Sequence, residues 1–113
     1  MTDAATPLEM SCEQVKAKLD NNDDFLLLDV REEDEYQTVH VEGATLVPMS
    51  QIQDRVGELD PQKDSEVVVY CHHGGRSMKV MLWLRKQGFS KAINMSGGID
   101  EWAEKIDPSL PRY

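Results

Sequence analysis

Cysteine is scarce in this chain of 113 residues, with Cys12 and Cys71 the only two. Two cysteines make no disulfide framework. They suit a reducing compartment better than an oxidising one. Long apolar runs are missing too. No stretch reaches the ~18 consecutive apolar residues of a membrane-crossing helix, so no membrane partner is expected. The opening MTDAATPLEMS has neither the basic stretch nor the apolar stretch of a secretory leader. The cytoplasm is therefore the expected address. Positive charge is short, with 12 Lys and Arg against 21 Asp and Glu, a formal net charge of −9. That surface repels nucleic acid and anionic membranes, which argues against a DNA- or RNA-binding role. No internal repeat or low-complexity tract is present. No C-x-x-C or H-x₃-H spacing occurs, so no metal or other cofactor is expected.

What is present fits one domain over residues 1–113, long enough to bury a real core. Ser11-Cys12-Glu13-Gln14 reads as a capping box, and Cys12, Val15 and Leu19 then share a helical face. Phe25 to Val30 and Val67 to Tyr70 are nearly unbroken apolar runs, the mark of strands covered on both faces. Ser50 to Gln53 repeats the capping-box spacing ahead of an Ile52, Val56, Leu59 stripe. Met78, Met81, Leu82 and Leu84 mark an apolar helix that stops at Gly88, with Phe89 following. Ala92 to Met95 reads as a short strand. Ile99, Trp102, Ala103 and Ile106 make a last helix, ended by Asp107-Pro108. Asp20–Asp24 and Asp60–Glu66 are polar connectors. Alternating strand and helix imply an α/β domain around a central, mainly parallel sheet. Ligands in such folds sit at the carboxyl ends of strands.

Cys71 directly follows the best strand and precedes a helix, in the stretch YCHHGGRSM. Gly74 and Gly75 tolerate positive φ and let successive amide hydrogens turn inward as an anion-binding nest. The helix beginning near Arg76 adds its positive end. Arg76 carries a permanent charge, and His72 and His73 can add more. Each favours Cys71 as the thiolate, the nucleophilic form. This local field opposes the acidic field of the whole chain and marks a site for a small anion.

Four ordered motifs then resemble the rhodanese-like domain. Its loop C-x-x-G-x-R is matched by Cys71, Gly74 and Arg76. Its D-V-R-E-x-x-E-Y is matched by Asp29-Val30-Arg31-Glu32 with Glu35-Tyr36. Its G-H-I-x-G-A-x-x-x-P is matched by Val39-His40-Val41-Glu42-Gly43-Ala44 with Pro48, where Val39 and Glu42 depart from the pattern. Its G-G-x-x-x-W is Gly97-Gly98 with Trp102. The resemblance implies a five-stranded, mainly parallel sheet with helices on both faces. It implies a sulfurtransferase in which Cys71 takes sulfur from a small anionic donor such as thiosulfate. The persulfide sits in the loop of His72, His73, Gly74, Gly75, Arg76 and Ser77, and a thiophilic acceptor removes it. That acceptor is cyanide, a thiol or a sulfur-carrier protein. Two other readings stay open here: a non-catalytic interaction module of the same fold, and a cysteine-dependent phosphatase or reductase. Related phosphatases have a loop one residue longer, whereas Arg76 stands five positions after Cys71.

Asp29, Glu35 and His40 are expected to brace the loops at the strand ends. Arg31 is expected to do the same, or to touch an anionic donor. Ser77 adds a hydroxyl donor or caps the helix. Trp83 and Trp102 are expected in the core, and Cys12 as a packed, inert thiol. The closing W-A-E-K-I-D-P-S-L-P-R-Y is similar to rhodanese modules fused to adenylyltransferases, or else simply ends the last helix and lets Tyr113 pack down.

Overall fold

The computed structural model describes residues 7–113; residues 1–6, most of the polar opening stretch, lie outside the described residues. Eleven short elements alternate along the chain. They are β1 (Glu9–Met10), α1 (Cys12–Asp20), β2 (Phe25–Asp29), α2 (Glu33–Thr38), β3 (Thr45–Leu46), α3 (Ile52–Arg55), a 3₁₀ turn (Val56–Gln62), β4 (Glu66–Tyr70), α4 (Gly75–Lys86), β5 (Ala92–Met95) and α5 (Gly98–Lys105). The five strands form one sheet in the order β1-β5-β4-β2-β3. Every pairing is parallel, with Leu27 opposite Val68 and Val68 opposite Ile93. The expected α/β architecture is what the chain adopts.

The apolar runs are explained by burial on both faces. Successive side chains of a strand point to opposite sides. In β4, Val67 and Val69 pack with Leu28, Val80, Met81, Leu84 and Phe89, and Cys71 just beyond the strand continues that side. Val68 and Tyr70 pack on the other face with Cys12, Val15, Ile93, Met95, Ile99 and Trp102. Thus α3 and α4 cover one face and α1 and α5 the other. β4 lies in the middle of the sheet, and its carboxyl end delivers Cys71 to the centre of one rim.

Local signals act as read at several points. Ser11 caps α1 with a full capping box, its hydroxyl 3.1 Å from the Gln14 amide. α4 ends before Gly88, and Phe89 folds into the core. Ser50 departs from expectation. The helix starts at Ile52 with Gln51 at its N-cap and no side-chain cap. The Ser50 hydroxyl instead donates to Glu32 Oε1 at 2.7 Å, a charge-assisted bond that ties it to the segment ahead of α2. Leu82 also departs. It is 44 % exposed, on the solvent side of α4, while Val80 and Met81 fill the core.

Candidate active site

The loop after β4 is shaped by two glycines with positive φ. Gly74, at φ +112°, is the N-cap of α4 and turns the chain sharply at residue 74. Gly98, at φ +62°, opens α5 directly against the loop. A Cβ on Gly98 would lie 2.6 Å from the Cys71 carbonyl oxygen and closer still to that of His72. This close approach lets the first amides of α5 fasten the loop. Ile99 N–H donates to Cys71 O at 2.9 Å, and Asp100 N–H donates to His72 O at 3.0 Å. The Gly97-Gly98 pair thus serves a physical need of the loop before it.

With its carbonyls held outward, the loop turns amide hydrogens toward sulfur. Cys71 Sγ lies 3.1 Å from Gly74 N, 3.4 Å from Ser77 N and 3.3 Å from Ser77 Oγ. The thiol is 1 % exposed. Burial opposes its ionisation. Hydrogen bonds from the Ser77 hydroxyl and from the amides of Ser77, Gly74 and His73 outweigh that, and the pKa falls below the ordinary thiol value. Cys12 is the contrast. It is equally buried, and its S–H donates toward the carbonyls of Ser96 and Gly98, while a hydrogen bond from its own backbone amide is too little to offset burial. Burial, with Glu101 and Glu13 nearby, pushes its pKa up to about 12. Both thiols are free.

Arg76 makes no hydrogen bond to the sulfur, and its charge acts on Cys71 through space. Its two terminal nitrogens grip the Glu35 carboxylate at 2.7 and 2.8 Å, a bidentate pair. Glu35 also receives the Tyr113 hydroxyl at 2.9 Å and the Glu32 amide at 3.0 Å. The Arg76 hydrogen bond is the main cause that brings the Glu35 pKa down to about 2. Arg31 is fully buried. Its guanidinium donates to both Asp29 oxygens, at 3.0 and 2.6 Å, to Val39 O at 2.7 Å, to Glu35 O at 3.2 Å and to the Tyr113 oxygen at 2.9 Å. All its donors are engaged within the protein, so the expected contact with an anionic donor has no free group to make it. Burial works against its charge, but the Asp29 and Tyr113 hydrogen bonds prevail and keep its pKa above the usual arginine value.

The remaining candidates fall into two groups. His72 is stacked on the Tyr113 ring, centroids 3.9 Å apart and planes 5° from parallel. Burial and the neighbouring His73 lower its pKa. His73 is largely exposed, with Nδ1 3.8 Å from Asp100. Gly75 starts α4, and Ser77 is buried in its first turn, with its hydroxyl 3.3 Å from Cys71 Sγ and 3.2 Å from the carbonyl of the N-cap residue Gly74. His40 lies apart from the loop. Its Nδ1–H donates to the Tyr36 carbonyl at 3.0 Å and its ring stacks on Tyr36. Val39 takes an extended conformation after α2 and packs in the core, and its carbonyl receives Arg31. Trp102 is buried and Trp83 partly so. Two residues went unread as site neighbours. Tyr113 was read only as a packing residue, and Asn94 at the end of β5 carried no signal beyond its strand. Among the described residues no group of three His, Cys, Asp or Glu is placed to hold a metal. Two open cavities of about 560 and 570 Å³ lie elsewhere, one beside His40 and Trp102, one at the β1 edge.

The sequence matches the family described as the rhodanese-like domain over residues 11–105. The chain belongs to that family. A sulfurtransferase of Allochromatium vinosum is 35 % identical over 95 residues, covering 84 % of this rhodanese-like chain and 87 % of that one. MoeZ of Mycobacterium tuberculosis, named as an adenylyltransferase/sulfurtransferase, is 37 % identical over 95 residues, 84 % of this chain and 24 % of MoeZ. The crystal structure of a rhodanese-like domain protein from Staphylococcus aureus superposes with a TM-score of 0.80 at 27 % identity, covering 95 % of this chain and 99 % of that one. The chain spans about half or less of the length of several curated relatives it matches.

Proposed function

We propose that this rhodanese-like protein is a sulfurtransferase that carries sulfur on Cys71. The observation that supports it most is the set of donors converging on one sulfur atom: the amides of Gly74 and Ser77 and the Ser77 hydroxyl. These groups favour the thiolate and then suit the terminal sulfur of a persulfide, which is also an anion. With thiosulfate as donor, the Cys71 thiolate attacks the outer sulfur. The new S–S bond forms as the old one breaks, and sulfite leaves with the bonding electrons. An acceptor thiolate or cyanide then attacks the terminal sulfur, and Cys71 departs as thiolate. The two half-reactions give ping-pong kinetics. The relationship to MoeZ, together with the similarity of the tail to adenylyltransferase-fused modules, favours a protein sulfur carrier as the physiological acceptor. A compartment that keeps both thiols reduced suits the scheme. No helix among the described residues is long and apolar enough to cross a membrane.

The phosphatase reading is weaker. Binding phosphate bidentately would take the two Arg76 nitrogens that Glu35 holds. The interaction-module reading leaves the donors around Cys71 without a purpose. The deciding experiment is incubation with thiosulfate followed by intact mass measurement. A gain of one sulfur atom that disappears in Cys71→Ser, and that cyanide removes as thiocyanate, is the expected result. Hydrolysis of an aryl phosphate without sulfur uptake would overturn the proposal, as would no gain at all.

A further inference from the structure

Three donors converge on the carbonyl oxygen of Gly74. Met78 N–H reaches it at 3.1 Å as a helical bond of α4. The Ser77 hydroxyl lies 3.2 Å away and Asn94 Nδ2 3.4 Å away. A carbonyl oxygen has two lone pairs, and a serine hydroxyl has one proton. The same hydroxyl is 3.3 Å from Cys71 Sγ. Its proton serves either the carbonyl or the sulfur.

Asn94 has no such freedom. It is fully buried within β5. Its Nδ2 also donates to Glu9 Oε2 at 3.0 Å, from β1. Both neighbours of that nitrogen are acceptors, so a flipped amide would set oxygen against oxygen. The amide oxygen on the far side is buried and has no partner among the described residues. A valine or threonine would suit this strand without that penalty. An asparagine held with one atom unpaired calls for a reason.

We propose that Asn94 is a positioning residue for Cys71: with Met78 it fills the Gly74 carbonyl, and so turns the single proton of Ser77 onto the sulfur. The relay runs from Glu9 on the edge strand through Asn94 and the Gly74 carbonyl to Ser77. Asn94 itself touches no reacting atom. The inference rests on Cys71 being the working thiol, but its test reads that thiol directly and does not depend on sulfur transfer. The charged groups around the loop are Glu9, the Arg76–Glu35 pair, His72, His73 and Asp100, and their side chains stay in every variant below.

The test is a double-substitution cycle on the pH dependence of Cys71 alkylation, followed on the Cys71 peptide by mass spectrometry. Asn94→Ala is expected to raise the apparent pKa of Cys71 by about half a unit to one unit. Ser77→Ala is expected to raise it at least as far. The double variant is expected to match Ser77→Ala alone, because Asn94 acts only through that hydroxyl. Asn94→Thr keeps strand preference, loses both amide donors and is expected to give the same shift if Asn94→Ala does not fold. A residue that only supports the fold would lower the melting temperature without this coupling. An unchanged pKa in the Asn94 variants, or shifts that simply add in the double variant, would overturn the proposal.

Discussion

Replacing Gly98 by alanine separates two costs that usually come together. The first is backbone strain, about 1–3 kcal/mol for a side chain held in the left-handed region. The second is collision. The new Cβ would lie 2.6 Å from the Cys71 carbonyl oxygen and nearer to that of His72, so the loop must retreat by more than half an ångström. Such overpacking adds roughly 1–3 kcal/mol. Gly43 supplies the control. Its φ of +92° lies further from the left-handed minimum than the +62° of Gly98, yet a Cβ there meets nothing within 4 Å. If strain alone decided, Gly43→Ala would be at least as costly as Gly98→Ala. The geometry gives the reverse order, about 1–3 kcal/mol for Gly43→Ala and about 2–6 kcal/mol for Gly98→Ala. Urea denaturation reads both. The His72 carbonyl shares its peptide group with the His73 amide, one of those that face Cys71. Sulfur uptake from thiosulfate, followed by mass, should therefore slow ~10–100-fold in Gly98→Ala and stay near wild type in Gly43→Ala. Equal denaturation midpoints for the two variants, or full loading speed in Gly98→Ala, would refute the argument that close approach sets the loop.

Further outcomes concern charge. Arg31→Ala leaves the Asp29 carboxylate buried and without its partner, and should cost about 3–5 kcal/mol by chemical denaturation; a loss under ~1 kcal/mol would show the pair to be dispensable. The Glu35 pKa is held near 2 in the folded protein, below its unfolded value of about 4.3. The stability it contributes is therefore complete above that unfolded value and is lost as pH falls toward 2. Glu35→Gln should flatten this acid limb in thermal melts, and an unchanged slope would count against the Arg76 pairing. Cys71 should react with iodoacetamide well below the pH at which Cys12 reacts, since hydrogen-bond donors outweigh burial at one sulfur and burial prevails at the other; coincident profiles would remove the case for an activated thiol.

Much of this was legible along the chain because the signals are local. The β4 run, the glycines after Cys71 and the capping box at Ser11 each act within a few residues. Other elements gave no period to read. β1 and β3 are two residues long and lie at the sheet edges. α2 buries none of its residues, so it has no apolar stripe, and its start rests on Glu32 and Glu35 capping each other. Leu82 helped to mark the helix as apolar, but helical geometry turns it outward. The roles of Arg31 and Arg76 depend on partners that only the fold brings near. Asp29 and Glu35 tie those side chains into bracing pairs, and the hydrogen bonds to the sulfur come from amides and a hydroxyl. Tyr113 and Asn94 reach His72 and Gly74 across 41 and 20 positions of sequence, where no spacing rule applies.

The two thiols belong to cores on opposite faces of the sheet, Cys71 with α4 and Cys12 with α1. An oxidised or sulfur-bearing Cys71 thus has no second thiol of its own chain to condense with. Under the proposed function, the acceptor that discharges Cys71 would come from outside this domain, so the lifetime of the loaded form would follow encounter with that acceptor rather than an internal clock.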